Sequence, residues 1–507
     1  ASRFVIQRHY AGNFDRDRFI LDPRRSILLA SRPALADPVS CEKWLEKGRV
    51  ADPGQACAAF LGLLDQLEDA PPQADAFIDI LETLRAPVQA ALEEVARRFA
   101  GRALPLAPTE QAAFVQSCDL WLAQLRAWRR LLRAASKNPA LAPERARLVQ
   151  RTLECTAGLL TTHLAARHEI ATEHWRWLHQ AYALAEREGL AEIPVGALDS
   201  ERTLTCHAAY ARVLLLHLAN PAALAQREFG WAQRWARRWA GKLRLSPTVP
   251  DQGGLGVDLD AGSPPRWIAA SDTKAHTRRL DCGPIARSIH GRIKKLTAGE
   301  TPESLGLGRD CTPLAAKELL ATLSRSWSDA PQIRQFPRRS CTGKVQLVAR
   351  FPEIHQALAG TSLETTNTPW DYSQRSMEQI HMFQRTSPQS ATPAETLATE
   401  TWETLDESAN GFRLRRNGPG TRLAHRQLVA LRPGGAEQFI LCEIRWLQLG
   451  EDKVLHVGAK ALPGLPQACA VRPRAANALT GPGWVHAFAL PLSRGLAPNL
   501  VLPVGWY

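Results

Sequence analysis

The sequence predicts a multidomain α+β protein with an all-α helical domain in its N-terminal half and a small antiparallel β-barrel at its C-terminal end. Apolar residues recur at helical spacing through most segments before about residue 245. After Pro337, β-rich runs separated by turn residues dominate. With 507 residues, 45% of them hydrophobic, the chain has enough material for two or three globular domains.

The helical domain is predicted over residues 1–245. The run ADAFIDILETLRAPVQAALEEVARRFAG is amphipathic, and we expect Pro87 to kink or split its helix and Gly101 to end it. The joining segments are short and rich in Pro, Gly and Asp, which is typical of packed antiparallel helical hairpins. Further amphipathic blocks are predicted at 109–135, 144–165, 172–188, 203–218 and 222–242.

Two regions follow the helical domain. Residues 246–335 are predicted to form a mixed α/β connecting region, with one short alternating strand and helices at 277–297 and 312–328. Residues 336–507 are predicted to form the barrel, with a polar insertion near 360–397 that we expect to be a loop or partly disordered. The predicted strands are GKVQLVARF, GFRLRR, QLVALR, QFILCEIRWLQL, KVLHVGAKAL and WVHAFALP.

Charge and motifs limit the classes of function. The net charge of +13 favours an anionic partner, although GC-rich coding would also raise the arginine content, and charge alone leaves nucleic acid, nucleotide and membrane surface open. The sequence has no GxSxG elbow, phosphate-binding Walker loop or HExxH helix, and its ten cysteines are scattered without a CxxC pair. We therefore expect no catalytic group and no metal. The lack of a long apolar run or a signal-peptide pattern predicts a cytoplasmic protein.

Two aromatic groups are interpreted as structural. Trp231, Trp235 and Trp239 recur at four-residue spacing, which favours a core stripe with a solvated basic face over a membrane-surface or RNA-stacking helix. The histidines at 163, 168, 174 and 179 are separated by steps of five and six residues and share no helical face, so we expect structural or surface roles.

The stretch LDESANGFRL contains the pattern D-x-S-x-x-G, formed by Asp406, Ser408 and Gly411. A carboxylate can accept from the ring N–H and the exocyclic amine of guanine together, and glycine can adopt a positive φ where a turn meets a strand. The pattern R-x-x-x-R, formed by Arg334 and Arg338, precedes the first barrel strand, and Arg339 is adjacent. Arginine suits phosphates and the O6 and N7 atoms of guanine. Pro337 favours an extended approach of this segment to the barrel.

These motifs, in this order, resemble the PilZ domain, the bacterial receptor for cyclic di-GMP. The resemblance covers the C-terminal third and is best over residues 402–463, and the whole chain more loosely resembles PilZ proteins with a long helical N-terminal region. It implies that Arg334 and Arg338 contact phosphates and stack on guanine, with Arg339 as a substitute. It also implies that Asp406 and Ser408 hold a guanine edge, that Gly411 lets the backbone approach, and that cyclic di-GMP is a ligand without any cofactor. About seventy residues separate the arginines from Asp406, a longer interval than the family usually has.

The leading hypothesis is a non-enzymatic cyclic di-GMP receptor in bacterial second-messenger signalling. Ligand held between the arginine segment and the D-x-S-x-x-G motif would order the joint between the two halves and reorient them, with output through a contact to an unidentified downstream protein. An RNA- or DNA-binding protein and a scaffold with a degenerate PilZ barrel stay open. Arg413, Arg415 and Arg416 offer a different surface for an anion, on which Arg413 and Arg415 share one strand face.

Overall fold

The computed structural model describes residues 35–48, 52–196, 204–248, 251–328, 336–359, 399–472, 484–491 and 497–503. Arg334 and the polar insertion predicted at 360–397 lie outside these ranges. The helices are α1 (Pro38–Lys47), α2 (Pro53–Asp69), α3 (Ala74–Ala96), α4 (Pro108–Ala135), α5 (Arg145–Ala166), α6 (Thr172–Arg187), α7 (Cys206–Leu218), α8 (Gln226–Trp239), α9 (Gly283–Thr297), α10 (Pro313–Ser326) and α11 (Phe351–Ala359).

Helices α3–α10 follow the predicted blocks with two differences. Helix α3 is one helix that contains Pro87, so the predicted alternative of a split is wrong and that of a kink stays a prediction. The buried side chains on both sides of the proline, among them Leu84 and Val88, hold the two halves together. Residues 277–281, predicted as the start of a helix, form a strand because they pair with two neighbouring strands before α9 begins.

The strands form three sheets. They are β1 (Arg244–Ser246), β2 (Gly254–Asp258), β3 (Arg266–Ile268), β4 (Thr277–Asp281), β5 (Arg339–Val348), β6 (Glu400–Ser408), β7 (Gly411–Arg416), β8 (Leu428–Pro433), β9 (Ile440–Leu449), β10 (Leu455–Ala461), β11 (Gln467–Val471), β12 (Val485–Leu490) and β13 (Asn499–Val501). The first sheet has the order β1-β4-β2-β3, and the third has the order β11-β12-β13.

The second sheet is a closed antiparallel barrel with the order β10-β7-β6-β5-β8-β9. The predicted order of a helical region followed by an antiparallel barrel is therefore confirmed. The run WVHAFALP was predicted as a barrel strand, which is wrong: it forms β12 of the separate three-stranded sheet, packed on α11. Alternating polar and apolar residues predict a strand, but only long-range pairing decides the sheet it joins.

The barrel shares its hydrophobic core with the N-terminal helices. One continuous cluster of buried side chains runs from Leu35 through α2–α5 to barrel residues such as Trp402 and Leu414. A second cluster joins α5–α8 to the first sheet, α9 and α10. The buried cores thus run across the predicted domain limits at 245 and 335, which remain predictions.

Backbone pairing also ties the barrel to the helices. Leu104 and Leu423 exchange two main-chain hydrogen bonds of 2.8 Å. Glu169, which follows α5, donates its N–H to the carbonyl of Leu449 at the end of β9, and Leu449 in turn donates to the carbonyl of Arg167. Exposed loops rarely make such paired contacts, so these bridges fix the orientation of the barrel on the helices.

The tryptophan stripe of α8 belongs to the core, as predicted. The exposed fractions of Trp231, Trp235 and Trp239 are 7%, 0% and 1%. The indole N–H of Trp231 donates to Asp310 at 2.8 Å, and that of Trp235 donates to the carbonyl of Leu307 at 2.9 Å. These rings have no exposed face on which a base could stack.

Three of the four clustered histidines meet at the junction of α5 and α6. His163 packs against the rings of Phe114 and His174, and His168 packs against Phe114 with ring centroids 4.4 Å apart. Burial lowers the pKa of His163 to about 3, and lowers the pKa values of His168 and His174 to about 4. The predicted structural role fits this packing, although the turn after α5, rather than a common helical face, brings the rings together.

A buried ion network joins α3 and α5. Arg151, 2% exposed, donates to both carboxylate oxygens of Glu82, at 2.6 and 3.0 Å, and to the carbonyl of Gly196 at 2.9 Å. Arg85 bridges Glu82 and Glu154 at 3.0 Å each. Burial by itself would raise the pKa of Glu82, but the hydrogen bonds and charges of the two arginines outweigh it, so this pKa lies below its ordinary value. The network balances two cations against two carboxylates.

Replacing Arg151 by Met should destabilise the helical region by about 3–5 kcal/mol, because Glu82 would be left buried with only one cation. Urea unfolding of the full chain, compared with wild type, measures this loss. Arg97→Met is the control: Arg97 lies on the exposed side after α3, pairs with no carboxylate but Glu94 among the described residues, and should cost under about 1 kcal/mol. Equal losses in the two variants would contradict the assignment.

Within the described ranges, no helix is both long enough and apolar enough to cross a membrane.

Candidate functional site

The D-x-S-x-x-G motif lies on a hairpin on the outside of the barrel. The last pair of the β6–β7 ladder joins Ser408 to Gly411, so the turn itself consists of Ala409 and Asn410. Asp406 and Ser408 are strand residues, two positions apart and therefore on one face, rather than members of the turn that the sequence suggested. The hydroxyl of Ser408 lies 3.3 Å from both the side-chain oxygen of Asn410 and the carbonyl of Gly411.

Two irregularities in the ladders direct Asp406 outward. Trp402 and Thr404 of β6 are 0% and 8% exposed and belong to the inside of the barrel. The β6–β7 register then shifts between Thr404 and Asp406, and the β5–β6 register shifts between Ser340 and Gly343. β-bulges of this kind re-aim a side chain and are common next to binding sites. The side chain of Asp406 therefore lies on the outside of the barrel, beside the flanking strands β5 and β7.

Asp406 is held by an arginine from the predicted R-x-x-x-R segment. Arg338 Nη1 lies 2.6 Å from Asp406 Oδ1, although the two residues are 68 positions apart in sequence. The distance is that of a charge-assisted hydrogen bond, and the exposed fractions of the two side chains, 31% and 17%, show that the pair is partly shielded. The long interval in the sequence is therefore bridged by direct pairing of β5 with β6.

The neighbouring arginines divide between the two faces of the barrel wall. Arg413 lies opposite Asp406 in the ladder, with Nη1 3.9 Å from Oδ2, and Arg415 forms an ion pair of 2.6 Å with Glu403. Arg413 and Arg415 both lie on the outside of the barrel wall, as expected. Arg416 is 5% exposed and is bound inside the barrel, with its guanidinium over the ring of Trp402, so it does not belong to the predicted anion-binding surface.

The remaining predicted residues have different positions. Arg339 begins β5 opposite Glu407, so alternation along the strand directs its side chain away from the face of Asp406. Arg334 lies outside the described residues. Gly411 does not have a positive φ. Its role is steric, because a Cβ there would lie 2.5 Å from the carbonyl oxygen of Ala459 on β10. The glycine lets β7 and β10 pair closely beside Asp406.

A half-buried tryptophan lies in the same row as Asp406 and Arg413 on the outside of the barrel. The ladders align Asp406, Arg413, Gly458 and Trp446 in one row across β6, β7, β10 and β9. The indole of Trp446 lies over Gly458, where any Cβ would overlap it. Trp446 was not among the predicted site residues. The sequence feature that could have indicated it is a glycine within a strand, which often marks a place where another group approaches the backbone closely. We call Arg338, Asp406, Ser408, Arg413 and Trp446 the outer face.

The chemistry of the outer face suits an anion with a flat ring. Two arginines flank one carboxylate, which gives the face an excess of positive charge and a single strong acceptor. An indole surface lies roughly two strand spacings, about 10 Å, from that carboxylate. Within the described residues, no group of three or more His, Cys, Asp or Glu side chains is arranged to hold a metal ion.

A comparison with protein families gives a match in the helical part of the chain. Residues 39–251, from α1 to the turn before β2, match the model of the N-terminal domain of the cyclic-di-GMP receptor FimW. This similarity supports a relationship to a family of cyclic di-GMP receptors. The barrel lies beyond the matched residues, so its likeness to PilZ stays a prediction. No curated protein matches the chain.

Proposed function

We propose that this protein is a non-catalytic receptor for cyclic di-GMP, which binds on the outer face of a PilZ-like barrel. The observation that carries the proposal is the convergence of Arg338 and Asp406, two motif residues from distant parts of the sequence, at 2.6 Å. The match of residues 39–251 to the N-terminal domain of a cyclic di-GMP receptor supports the same ligand independently, from another part of the chain.

Recognition of guanine would centre on Asp406. Its carboxylate accepts from the ring N–H and the exocyclic amine of guanine, while adenine presents a ring acceptor at the corresponding position. Arg338 occupies one carboxylate oxygen in the present structure, so guanine would displace it. The released guanidinium then binds a phosphate or stacks on a base, together with Arg413. Trp446 supplies a surface for a purine ring.

We infer that output arises locally rather than by rotation of the barrel against the helices. The shared core and the bridges at Leu104–Leu423 and His168–Leu449 oppose the reorientation of the two halves that the sequence analysis suggested. Displacement of Arg338 would instead change the segment that enters β5. A downstream protein would then read that segment together with the neighbouring helical surface.

Calorimetric titration of cyclic di-GMP into the full chain tests the proposal. Wild type should bind with a micromolar or lower Kd, and GMP or cyclic di-AMP should bind at least about a hundredfold more weakly, because they lack the second guanine or the paired donors. Arg338→Ala should abolish the measurable heat.

Arg350→Ala is the matched control. Arg350 follows the opposite end of the same strand, is 73% exposed and, within the ranges that the structure describes, pairs with Glu353 alone, so its loss should leave the affinity unchanged. Folded wild-type protein that produces no heat would refute the proposal and favour a scaffold with a degenerate barrel. Equal loss in both variants would indicate nonspecific attraction of the nucleotide to positive charge.

A further inference from the structure

A concave basic site lies beside the second cluster of buried side chains, the one that contains no barrel residue. The cavity has a volume of about 520 Å³ and is lined by Gly241, Lys242, Arg244, Pro284, Arg287 and Ser288. These residues come from three parts of the fold: the turn after α8, strand β1 and the first turns of α9. No carboxylate is among the lining residues.

The surrounding segment concentrates the charge of the chain. Residues 230–300 hold thirteen Lys and Arg against six Asp and Glu. Because Arg234 and Arg278 pair with Asp310 and Glu186 from outside this segment, the remaining excess is +5, compared with +13 for all 507 residues. Such a concentration in one-seventh of the chain attracts anions over a distance of about 10 Å. The cavity lies within this field.

Asp281, which lies opposite Arg244 in the β1–β4 ladder, accepts from the N–H of Gly283. Three other nearby carboxylates are bound to cations that do not line the cavity. The pairs are Asp310 with Arg234, Glu186 with Arg278, and Glu300 with Lys295. Within the part of the chain that the structure describes, Lys242, Arg244 and Arg287 form no ion pair, and Lys242 donates to the hydroxyl of Ser288 at 2.7 Å. Three like charges around one concavity repel one another, and a bound anion would remove that repulsion.

The side chains, rather than the end of the helix, would bind the anion. At the start of α9, Gly283 donates its N–H to Asp281, and Ile285 donates to the carbonyl of Cys282. Pro284 has no N–H. The first turn is thus satisfied internally, and the free donors are the two guanidinium groups and the ammonium group.

We propose that this cationic concavity binds a diphosphate group. Two guanidinium forks and one ammonium group match the several oxygens and the charge of a diphosphate, and the volume exceeds what a single phosphate needs. The buried tryptophans of α8 offer no stacking surface, which disfavours single-stranded nucleic acid as the ligand. The group would come from a soluble diphosphate or from a lipid headgroup, which share this chemistry.

Titration of inorganic pyrophosphate into the full chain, at low and at physiological ionic strength, tests the site. Binding should be saturable at one site per chain, and Lys242→Gln and Arg287→Gln should each weaken it about tenfold. Arg266→Gln removes the same charge from an exposed position on β3 outside the cavity and should leave the affinity unchanged. Asp406→Ala should also leave it unchanged, which separates this site from the barrel.

Further ligands identify the source of the diphosphate. ADP should compete with pyrophosphate if the ligand is soluble, whereas vesicles containing a pyrophosphate-bearing lipid should compete if it is a headgroup. Heat that does not saturate, or an equal loss in Arg266→Gln, would overturn the proposal in favour of diffuse attraction. Binding to anionic vesicles without any binding of pyrophosphate would overturn it as well.

Discussion

Lowering the pH from about 7 to about 5 should destabilise the helical region by about 4–6 kcal/mol, through the histidines at the α5–α6 junction. Burial favours the neutral imidazole, and it lowers the pKa of His163 to about 3 and those of His168 and His174 to about 4. The ordinary value is 6.5. The unfolded chain therefore binds more protons than the folded chain between these values.

The direction of the pH effect on stability follows from this difference in proton binding between the two states. At pH values about one unit or more above 6.5, all three groups are neutral in both states and do not change the free energy of unfolding. As the pH falls below that value, each unfolded imidazole takes up a proton that the folded one excludes, so stability decreases until the folded pKa is reached. At about pH 5 the loss is up to about 2 kcal/mol per histidine, somewhat less where a ring is partly exposed.

Urea unfolding at several pH values, followed by hydrogen exchange in α5, measures this dependence. A triple variant with Gln at positions 163, 168 and 174 should be less stable at neutral pH and should lose most of the pH dependence. His290→Gln, in which an exposed ring of α9 is replaced, should keep the wild-type dependence. A wild-type free energy of unfolding that stays constant between about pH 7 and about pH 5 would contradict the buried, neutral assignment.

Local pattern predicted the elements of this chain well, because side-chain periodicity is set by the element itself. The strands GFRLRR and QLVALR and the helix at 109–135 were placed to within a residue or two. Assembly was not predictable in the same way. The strand WVHAFALP has the pattern of a barrel strand, but its partners are β11 and β13, and no local signal specifies them.

The shared core of helices and barrel was likewise not predictable from local pattern. Composition changes at about residue 245, yet the barrel shares one buried cluster with helices α1–α5, which are separated from it by more than 150 residues of helices and sheet. Sequence order predicted three successive units. Burial of apolar surface depends instead on which faces meet in space, and those contacts are set by loops and pairings far apart in the chain.

The candidate site was predictable in its residue types but not in its geometry. The motif residues Asp406 and Ser408 were identified because their chemistry suits guanine, and Arg338 because its spacing matched a family pattern. Their contact depends on two register shifts, which no propensity predicts. Trp446 was missed because its relevance depends on Gly458, a residue on the next strand that leaves the ring room to lie flat.

Replacing Asp406 by Asn should weaken cyclic di-GMP binding at least about a hundredfold, provided that the outer face binds the nucleotide as proposed. The carboxylate offers two acceptors to the two donors on the guanine edge, whereas an amide offers one acceptor and places its own N–H against the second donor. A buried or half-buried donor left without a partner costs about 1–3 kcal/mol, and the lost charge-assisted bond adds to it.

The fold should survive this substitution, because Asp406 is not a core residue and its ladder bonds come from the backbone. Glu403→Gln is the matched control: it lies three residues earlier on β6, pairs with Arg415 on the outside of the barrel and loses the same charge. Calorimetric titration of cyclic di-GMP into wild type, Asp406→Asn and Glu403→Gln measures the three affinities. Loss in Asp406→Asn with an unchanged affinity in Glu403→Gln supports recognition by the carboxylate itself.

The ion pair between Arg338 and Asp406 gives the Asp406→Asn titration a second informative outcome. Arg338 is bound to Asp406 at 2.6 Å before any ligand arrives, so Asp406→Asn also releases this guanidinium. If the nucleotide were attracted mainly by positive charge, the freed arginine would strengthen binding, and the affinity would rise rather than fall. An increase in Asp406→Asn that disappears in the Arg338→Ala background would therefore replace guanine recognition with phosphate attraction as the basis of binding.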